Sequence, residues 1–437
     1  LNMPLILPGN VASAVAGAYE VANSCRFDGS DVSLTRGIDG VDTTQLTLSM
    51  WFKVCQIDGT YGNMLFGSEN NGADYLIIHQ NTAGNLDVQM TGSANRRITT
   101  AKYIDPSAWY HLCVIFDSTQ GTASNRVKVY VNGTQVTSFS HTADGMAEDS
   151  NLSPVDETLD YAIGHYHGQH ASYSVDGYMA EVVALYGQAL GPTSFGEFDS
   201  DSPTIWKPID VSGLTFGGNS FYVDFEDSDN LGDDESGNTD DFAESNIVAA
   251  DQATDTPTNN FCTWNPLSVN EMTFTEGNCV ATSNSNPRTD DNCRGTMGVQ
   301  GGKWYWEVKS TGDSIPGVAG ICFDPLKMGD DLSGLTGVYA IQNAGATYAY
   351  RRENGTSAET AGFPNPTNGQ IFNLAFDADN AKLYVGINGS YYSQDGSDGD
   401  PAGGSDETYA SIDTSFHWLP FFEARGTAQN AQCNFGG

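Results

Sequence analysis

Residues 108–139, AWYHLCVIFDSTQGTASNRVKVYVNGTQVTSF, leave this chain little freedom in secondary structure. Tyr110, Leu112, Val114 and Phe116 alternate with their neighbours, the period of a strand with one face in a core. Asp117 and the polar run Ser118 to Asn125 end that strand. Val127, Val129 and Val131 alternate with Lys128 and Tyr130, and Asn132-Gly133 follows. An Asn-Gly pair accepts the two positive φ angles of a tight hairpin, so the spacing sets Val129 opposite Val136. The same pattern returns in IFNLAFDADNAKLYVGINGSYY, residues 371–392, which ends on Asn388-Gly389. The chain is therefore expected to hold two antiparallel β modules of similar design, one in each half.

The length of 437 residues exceeds what one core usually serves, so two domains are expected. With 49 glycines against 16 prolines and no long amphipathic helical pattern, short strands and tight turns account for the composition. The expected fold is all-β: two antiparallel β-sandwich (jelly-roll) domains joined by an acidic linker. The boundaries are an extension over 1–23, a sandwich over 24–225, an acidic bridge over 226–260 and a second sandwich over 261–437. Within the first sandwich, Ser220 to Phe225 is expected to return and pair near the start.

Eighteen basic residues face 55 acidic ones, a net charge of −37, and every segment is acidic. Nucleic acid and anionic membrane are thereby poor partners, and cations or a salty medium suit the chain better. No apolar run approaches the ~18 residues of a membrane span, so no membrane insertion is expected. The N-terminal LNMPLILPGNVASAVAGA lacks a basic n-region and carries Pro4 and Pro8, which reads as synthesis without a secretion signal. Eight cysteines include no CxxC pair. Cys279 and Cys293 bracket a polar loop and form the one pair spaced for a disulfide, whereas thiols throughout fit assembly in a reducing cytosol.

In order, FDG, LSMWFK, WYHLCVIFD, VKVYVNG, YAIG and GYMAEVVALYGQAL resemble laminin-G/concanavalin A-like lectin domains over most of 24–225. That resemblance implies a two-sheet sandwich and leaves lectin, hydrolase and spacer roles open. From 261 onward, GKWYWEV, GVAGIC, the 371–392 hairpin and WLPFF resemble a SPRY domain, a sandwich used as a protein-interaction module. The combination resembles structural proteins of tailed phages, marine ones especially. It implies a virion surface component, a fibre or a head or tail appendage, assembled in the host cytoplasm. Its partners would be other virion proteins and a host cell-surface glycan or protein. Similarity to fibre-like proteins implies a homo-oligomer, a trimer in particular.

Candidate chemistry is sparse. The stretch 226–260 carries eleven acidic residues and no Lys or Arg, the composition of a solvated linker. Asp233, Asp234, Ser236 and Asn238 around Gly237 also offer oxygens of the kind Ca²⁺ prefers, so Ca²⁺ is the candidate cofactor. The run LGDDESGNTDDF also resembles an Asp-Ser-Gly-Asn turn of such lectin domains. His165, His167 and His170 with Tyr166 and Tyr173 lie on one loop, where they read as a metal set, a sugar-binding rim or exposed side chains. Arg351-Arg352 is a rare cationic spot, read as an interaction point or a solvated strand end. The laminarinase-type glucanases of the concanavalin A-like fold carry Glu-x-Asp-x-x-Glu on one strand; here Glu197-Phe198-Asp199 is followed by Ser202. With no P-loop, GxSxG or HExxH, a non-enzyme is expected. The role expected first is adhesion to host glycans or envelope, then decoration of capsid or tail without a host ligand, then glycan hydrolysis.

Overall fold

The computed structural model describes residues 19–436 apart from 31, 39–42, 58–61, 71–73, 91–93, 153–158, 167–173, 239, 269–271, 285–290, 313–316, 324–335, 344–347 and 427. It divides into two units, one reaching Asn260 and one starting at Phe261. Among the described residues the long elements are all strands, and helical turns are short 3-10 segments such as Ala123–Asn125. The all-β expectation holds.

Both hairpins form as their turn residues dictate. Asn132 and Gly133 take φ of 46° and 73°, Asn388 and Gly389 take 50° and 85°, and the Val136 amide donates to Val129 O at 2.8 Å. Around the first hairpin an antiparallel sheet runs Thr134–Gln135, Val127–Val131, Trp109–Asp117, Gln45–Val54, Asp176–Tyr186, Ser24–Asp28 and Gln252–Ala253, with Phe221–Val223 also paired to Asp176–Tyr186. A second sheet runs Phe139–Asp144, Asn95–Lys102, Asn85–Met90, Asp74–Gln80, Asn63–Asn70, Leu159–Ile163, Ser33–Ile38 and Ala243–Ser245. Leu112, Val114, Phe116, Phe52 and Met179 of one sheet meet Leu76, Ile78, Val88 and Ile163 of the other in a single core.

The organising strand differs from its expected half-burial. Cys113 and Ile115, on its other face, are also buried, packed with Val183, Leu185, Phe195 and Val211. The segment after Tyr186 folds back over the outside of the first sheet, so that strand carries apolar residues on both faces. The returning strand is also placed differently. Phe221–Val223 pairs with Val182 to Ala184, while Cys25 pairs with Met179 and Gln252.

The acidic bridge over 226–260 is not a linker; it belongs to the first unit. Leu231, Phe242 and Ile247 enter the main core, and Ala243–Ser245 extends the second sheet beside Ser33–Ile38. Its charge is met by bases from the opening strands. Arg26 pairs with Asp251, Arg36 with Asp234 and Lys53 with Asp255, each at 2.7 Å. Asp255 also accepts from Trp109 Nε1 at 2.8 Å.

In the second unit, a seven-stranded sheet runs Met272–Thr275, Val280–Ser283, Asn430–Asn434, Lys303–Thr311, Ile371–Asp377, Lys382–Ile387 and Ser390–Tyr392. It faces Asn292–Arg294, Trp418–Glu423, Val318–Phe323, Val338–Gln342, Tyr348–Glu353 and Thr356–Pro364 across a core of Trp264, Trp306, Phe372, Leu374, Phe422 and their neighbours. Cys279 and Cys293 are not bridged. Cys293 is buried in this core, and Cys279 stands beside Cys433, whose amide donates to Cys279 O at 2.8 Å.

The Arg36–Asp234 pair lends itself to a direct test, since both side chains are almost wholly buried. Asp234→Ala leaves a buried guanidinium uncompensated and is expected to cost about 3–5 kcal/mol in denaturant melts of the chain. The double change Arg36→Met with Asp234→Leu is expected to recover most of that loss. Equal melts for all three proteins would show that the pair does not hold the acidic segment in place.

Candidate functional site

The outer face of the second sheet of the first unit gathers polar side chains. Strand alternation sends Leu76, Ile78, Leu86 and Val88 to the core and leaves Tyr75, Ile77, His79, Asp87, Gln89, Arg96 and Ile98 outside. Register then sets His79 beside Asp87, and Ile77 beside Gln89, which in turn neighbours Arg96. Asp87 is 1% exposed because it lies beneath the others. Arg96 grips it with Nε at 3.0 Å and an Nη at 2.5 Å, and His79 Nε2 stands 3.3 Å away. Burial alone would raise the Asp87 carboxyl, but hydrogen bonds from His79 and Arg96 outweigh it and hold its pKa below the usual carboxylate range. Its hydrogen bond to Asp87 in turn raises the guanidinium's pKa. A clamped acid, two cationic or hydrogen-donating groups, a phenol and two isoleucine faces make an amphipathic surface with little net charge.

Tyr166 meets this face at one edge. A Cβ on Gly67 would come 2.9 Å from the Tyr166 ring, so Tyr166 lies directly over the Gly67 backbone, next in register to Ile77. The sequence read His165 and Tyr166 as part of a metal set, a sugar-binding rim or a set of exposed side chains; both are buried, at 8% and 5% exposure, packed against Gly67. His167, His170 and Tyr173 lie outside the described residues.

Three of the four calcium candidates, Asp234, Ser236 and Asn238, hold partners within the fold. Asp234 gives one oxygen to Arg36 and the other to the amides of Tyr222 and Ser236. Ser236 Oγ donates to Ser220 O, and Asn238 Nδ2 to Ser220 O and Gly217 O. Asp233 lies near Asp241; burial, then that acid's charge, raises its pKa. Asp234 is thus not available to a cation, since a guanidinium neutralises it from within the fold.

Arg351 and Arg352 are also structural. Arg352 is buried and forks onto Glu423 at 2.8 and 3.2 Å, with Gln342 as a third partner. Arg351 pairs with Glu353 at 2.8 Å and lies over the Tyr409 ring at 5.3 Å. Neither reading from the sequence, interaction point or solvated end, fits the burial of Arg352.

Two buried groups escaped the sequence reading. His111 is fully buried between Trp51 and Trp206, with Ser49 Oγ 2.8 Å from Nε2. Trp206 Nε1 donates to His111 Nδ1 at 3.0 Å, so Nε2 carries the proton and donates to Ser49. That polarity is opposite to what a base activating a serine needs, and burial pushes the imidazole pKa down to about 3. Glu197 and Asp199, the remaining carboxylate pair, both pair with Lys207 in a short outlying ladder, 3.1 and 3.6 Å away.

The other group is Glu181. It sits at φ 51° in a bulge between Ala180 and Val183, an uncommon conformation for a glutamate inside a strand. Its Oε2 accepts from the hydroxyls of Tyr222 at 2.9 Å and Tyr19 at 3.0 Å. Burial raises its pKa to about 7; the tyrosine hydrogen bonds work against that rise, while Asp224 and Glu226 add to it.

Residues 27–194 match the family described as the concanavalin A-like lectin/glucanases superfamily. The matched stretch contains the whole Tyr75–His79–Asp87–Arg96 face. No curated protein sequence matches the chain. Among solved structures, the TRIM65 PSpry domain is similar at 14% identity and a TM-score of 0.31, over 40% of this chain and 93% of that one. The native heptameric SAP-like pentraxin from Limulus polyphemus is similar at 17% and 0.30, over 40% and 80%. The SPRY domain of human HERC1 is similar at 13% and 0.29, over 39% and 96%.

Glu181 imposes a pH dependence of known sign. Its folded pKa of about 7 lies above the ordinary value, so the unfolded chain releases this proton first as pH rises. The contribution of the protonated carboxyl is complete below about pH 4.5 and is lost as pH climbs through about 7, a change on the order of 3 kcal/mol. Glu181→Gln is expected to flatten the thermal stability profile over that window and to gain on the parent at alkaline pH. Parallel profiles for the two proteins would mean that Glu181 is ionised in the native state.

Proposed function

We propose that this chain is a non-enzymatic adhesive component of a virion surface, a fibre or a head or tail appendage, whose first unit binds saccharide. The observation that carries the reading is the outer sheet face centred on Asp87. Sugars present hydroxyls at their edges and C–H groups on their faces. The face offers matching parts: Arg96 and His79 held in place by a buried carboxylate, and apolar surface from Tyr75, Ile77 and Ile98. Because Asp87 neutralises Arg96, a neutral saccharide suits the face better than an anionic one. The match of residues 27–194 to a lectin and glucanase superfamily supports saccharide as the ligand class. Membership of a virion, and assembly with other virion proteins as a homo-oligomer, rest on the domain combination read from the sequence.

Glycan-array and whole-cell binding with the purified chain test this reading. Binding to one class of neutral host saccharide is expected, with Tyr75→Ala reducing it about tenfold or more while the melting temperature stays close to the parent's. Firm attachment to capsid or tail with no host-surface binding would favour a decoration protein instead. Release of product from host polysaccharide would restore the hydrolase.

A further inference from the structure

The second unit carries a groove of about 360 Å³ on the outer face of its seven-stranded sheet. Its floor is Ala375, which register places between Tyr305 on one neighbouring strand and Tyr384 on the other. Two strand spacings separate the two tyrosine backbones, about 9.5 Å. Trp304 and Tyr391 line the groove further along, and Pro401 with Ala402 forms a lip. That lip is built rather than loose. Asp400 and Ser405 exchange backbone hydrogen bonds at 3.1 Å, and Lys382 Nζ donates to Gly404 O at 2.8 Å.

Most polar groups around the groove are already used within the fold. Trp304 Nε1 donates to Gly301 O at 2.6 Å. Tyr305 donates to Glu307 at 2.5 Å and accepts from Asn373 at 2.9 Å, while Asp377 holds Lys303 at 3.3 Å and Asn380 at 2.9 Å. Tyr384 is the exception. It is 2% exposed, and its hydroxyl has no hydrogen-bond partner among the described residues. The acids whose charge bears on it are Glu407, Asp377, Asp400 and Asp406, against Lys303 and Lys382 as the nearby bases.

We propose that this groove docks a proline-rich segment of a partner protein in the polyproline II conformation, with a basic residue flanking it. Two features of the groove favour that occupant. Proline offers apolar rings and carbonyl acceptors and no backbone donor, which suits aromatic walls whose polar groups are mostly spent within the fold, with the Tyr384 hydroxyl left unpartnered. A saccharide would bring many hydroxyls to walls that leave them unpaired, at a cost for each. The excess of carboxylates at the rim selects Lys or Arg beside the prolines.

The test uses the full chain and a fluorescein-labelled octaproline carrying two arginines at one end, read by anisotropy. Saturable binding is expected, weakened by salt and about tenfold weaker when the arginines are replaced by glutamates. Ala375→Leu fills the floor without removing any wall and is expected to abolish binding. Tyr384→Phe removes only the donor and is expected to lower affinity about fivefold. Thermal melts like the parent's confirm that both variants fold. Absence of peptide binding by the folded parent, or binding unchanged in Ala375→Leu, overturns the proposal. So does saturable binding of a neutral oligosaccharide that Ala375→Leu abolishes while the peptide fails to bind. Binding at the Asp87 face is scored separately through Tyr75→Ala, so either reading can fail alone.

Discussion

Three bases from the opening strands, the buried Arg36 and Lys53 and the partly buried Arg26, each find their acid in 226–260. A charge buried without a partner is far more costly than the pair it forms, so the first unit cannot close until the acidic segment arrives. Lys53 makes the point most fully. Its side chain is completely buried and reaches both Asp255 and Asn260, the last residues of the unit. Asp255 in turn holds Trp109, at the start of the organising strand. Folding of this unit is therefore a long-range event that joins its two ends, the high-contact-order situation in which loop closure precedes reward.

This dependence also explains what the sequence disclosed and what it hid. Asn132-Gly133 and Asn388-Gly389 are local statements, complete within a few residues, and both were legible. The acidic segment read alone has no base and little to bury, so it passes for a linker; its bases lie some two hundred residues upstream, beyond any window. Arg352 was misread for the same reason, since Glu423 is 71 positions away and nothing beside Arg352 announces it. His111 and Glu181 gave no local signal either. A histidine inside an apolar strand and a glutamate between Ala180 and Val182 are contradictions of pattern, and such contradictions mark places where tertiary partners override alternation.

The two units apply one grammar and differ in which sheet face stays open. In the first, the segment after Tyr186 and the Trp206 ring cover the outside of the organising sheet, and the opposite sheet leaves its outer face with the Asp87 clamp open. In the second, Ala375 keeps the outer face of the hairpin sheet low between the strands that carry Tyr305 and Tyr384. Small residues at outward positions of a strand have no role in the core and little β propensity. Here they set the depth of a groove. The clamp was hidden because it joins three strands; the groove was hidden because a small residue on a strand reads as indifferent.

Charge ties these observations to partner choice. Of 18 basic residues, at least twelve form ion pairs inside the described structure. The 55 acids greatly outnumber them, so the surface left over is almost entirely anionic. Such a surface repels phosphate backbones and anionic envelopes at distances within a Debye length, about 8 Å at physiological salt. The field is locally cancelled at Arg96 over Asp87 and favours a basic group at the rim of the Tyr384 groove. Contacts between copies face the same restriction, and apolar patches or screening by salt must supply what charge opposes. The excess of acid thus acts as a filter: it leaves the few neutralised or apolar surfaces as the places where another molecule can dock.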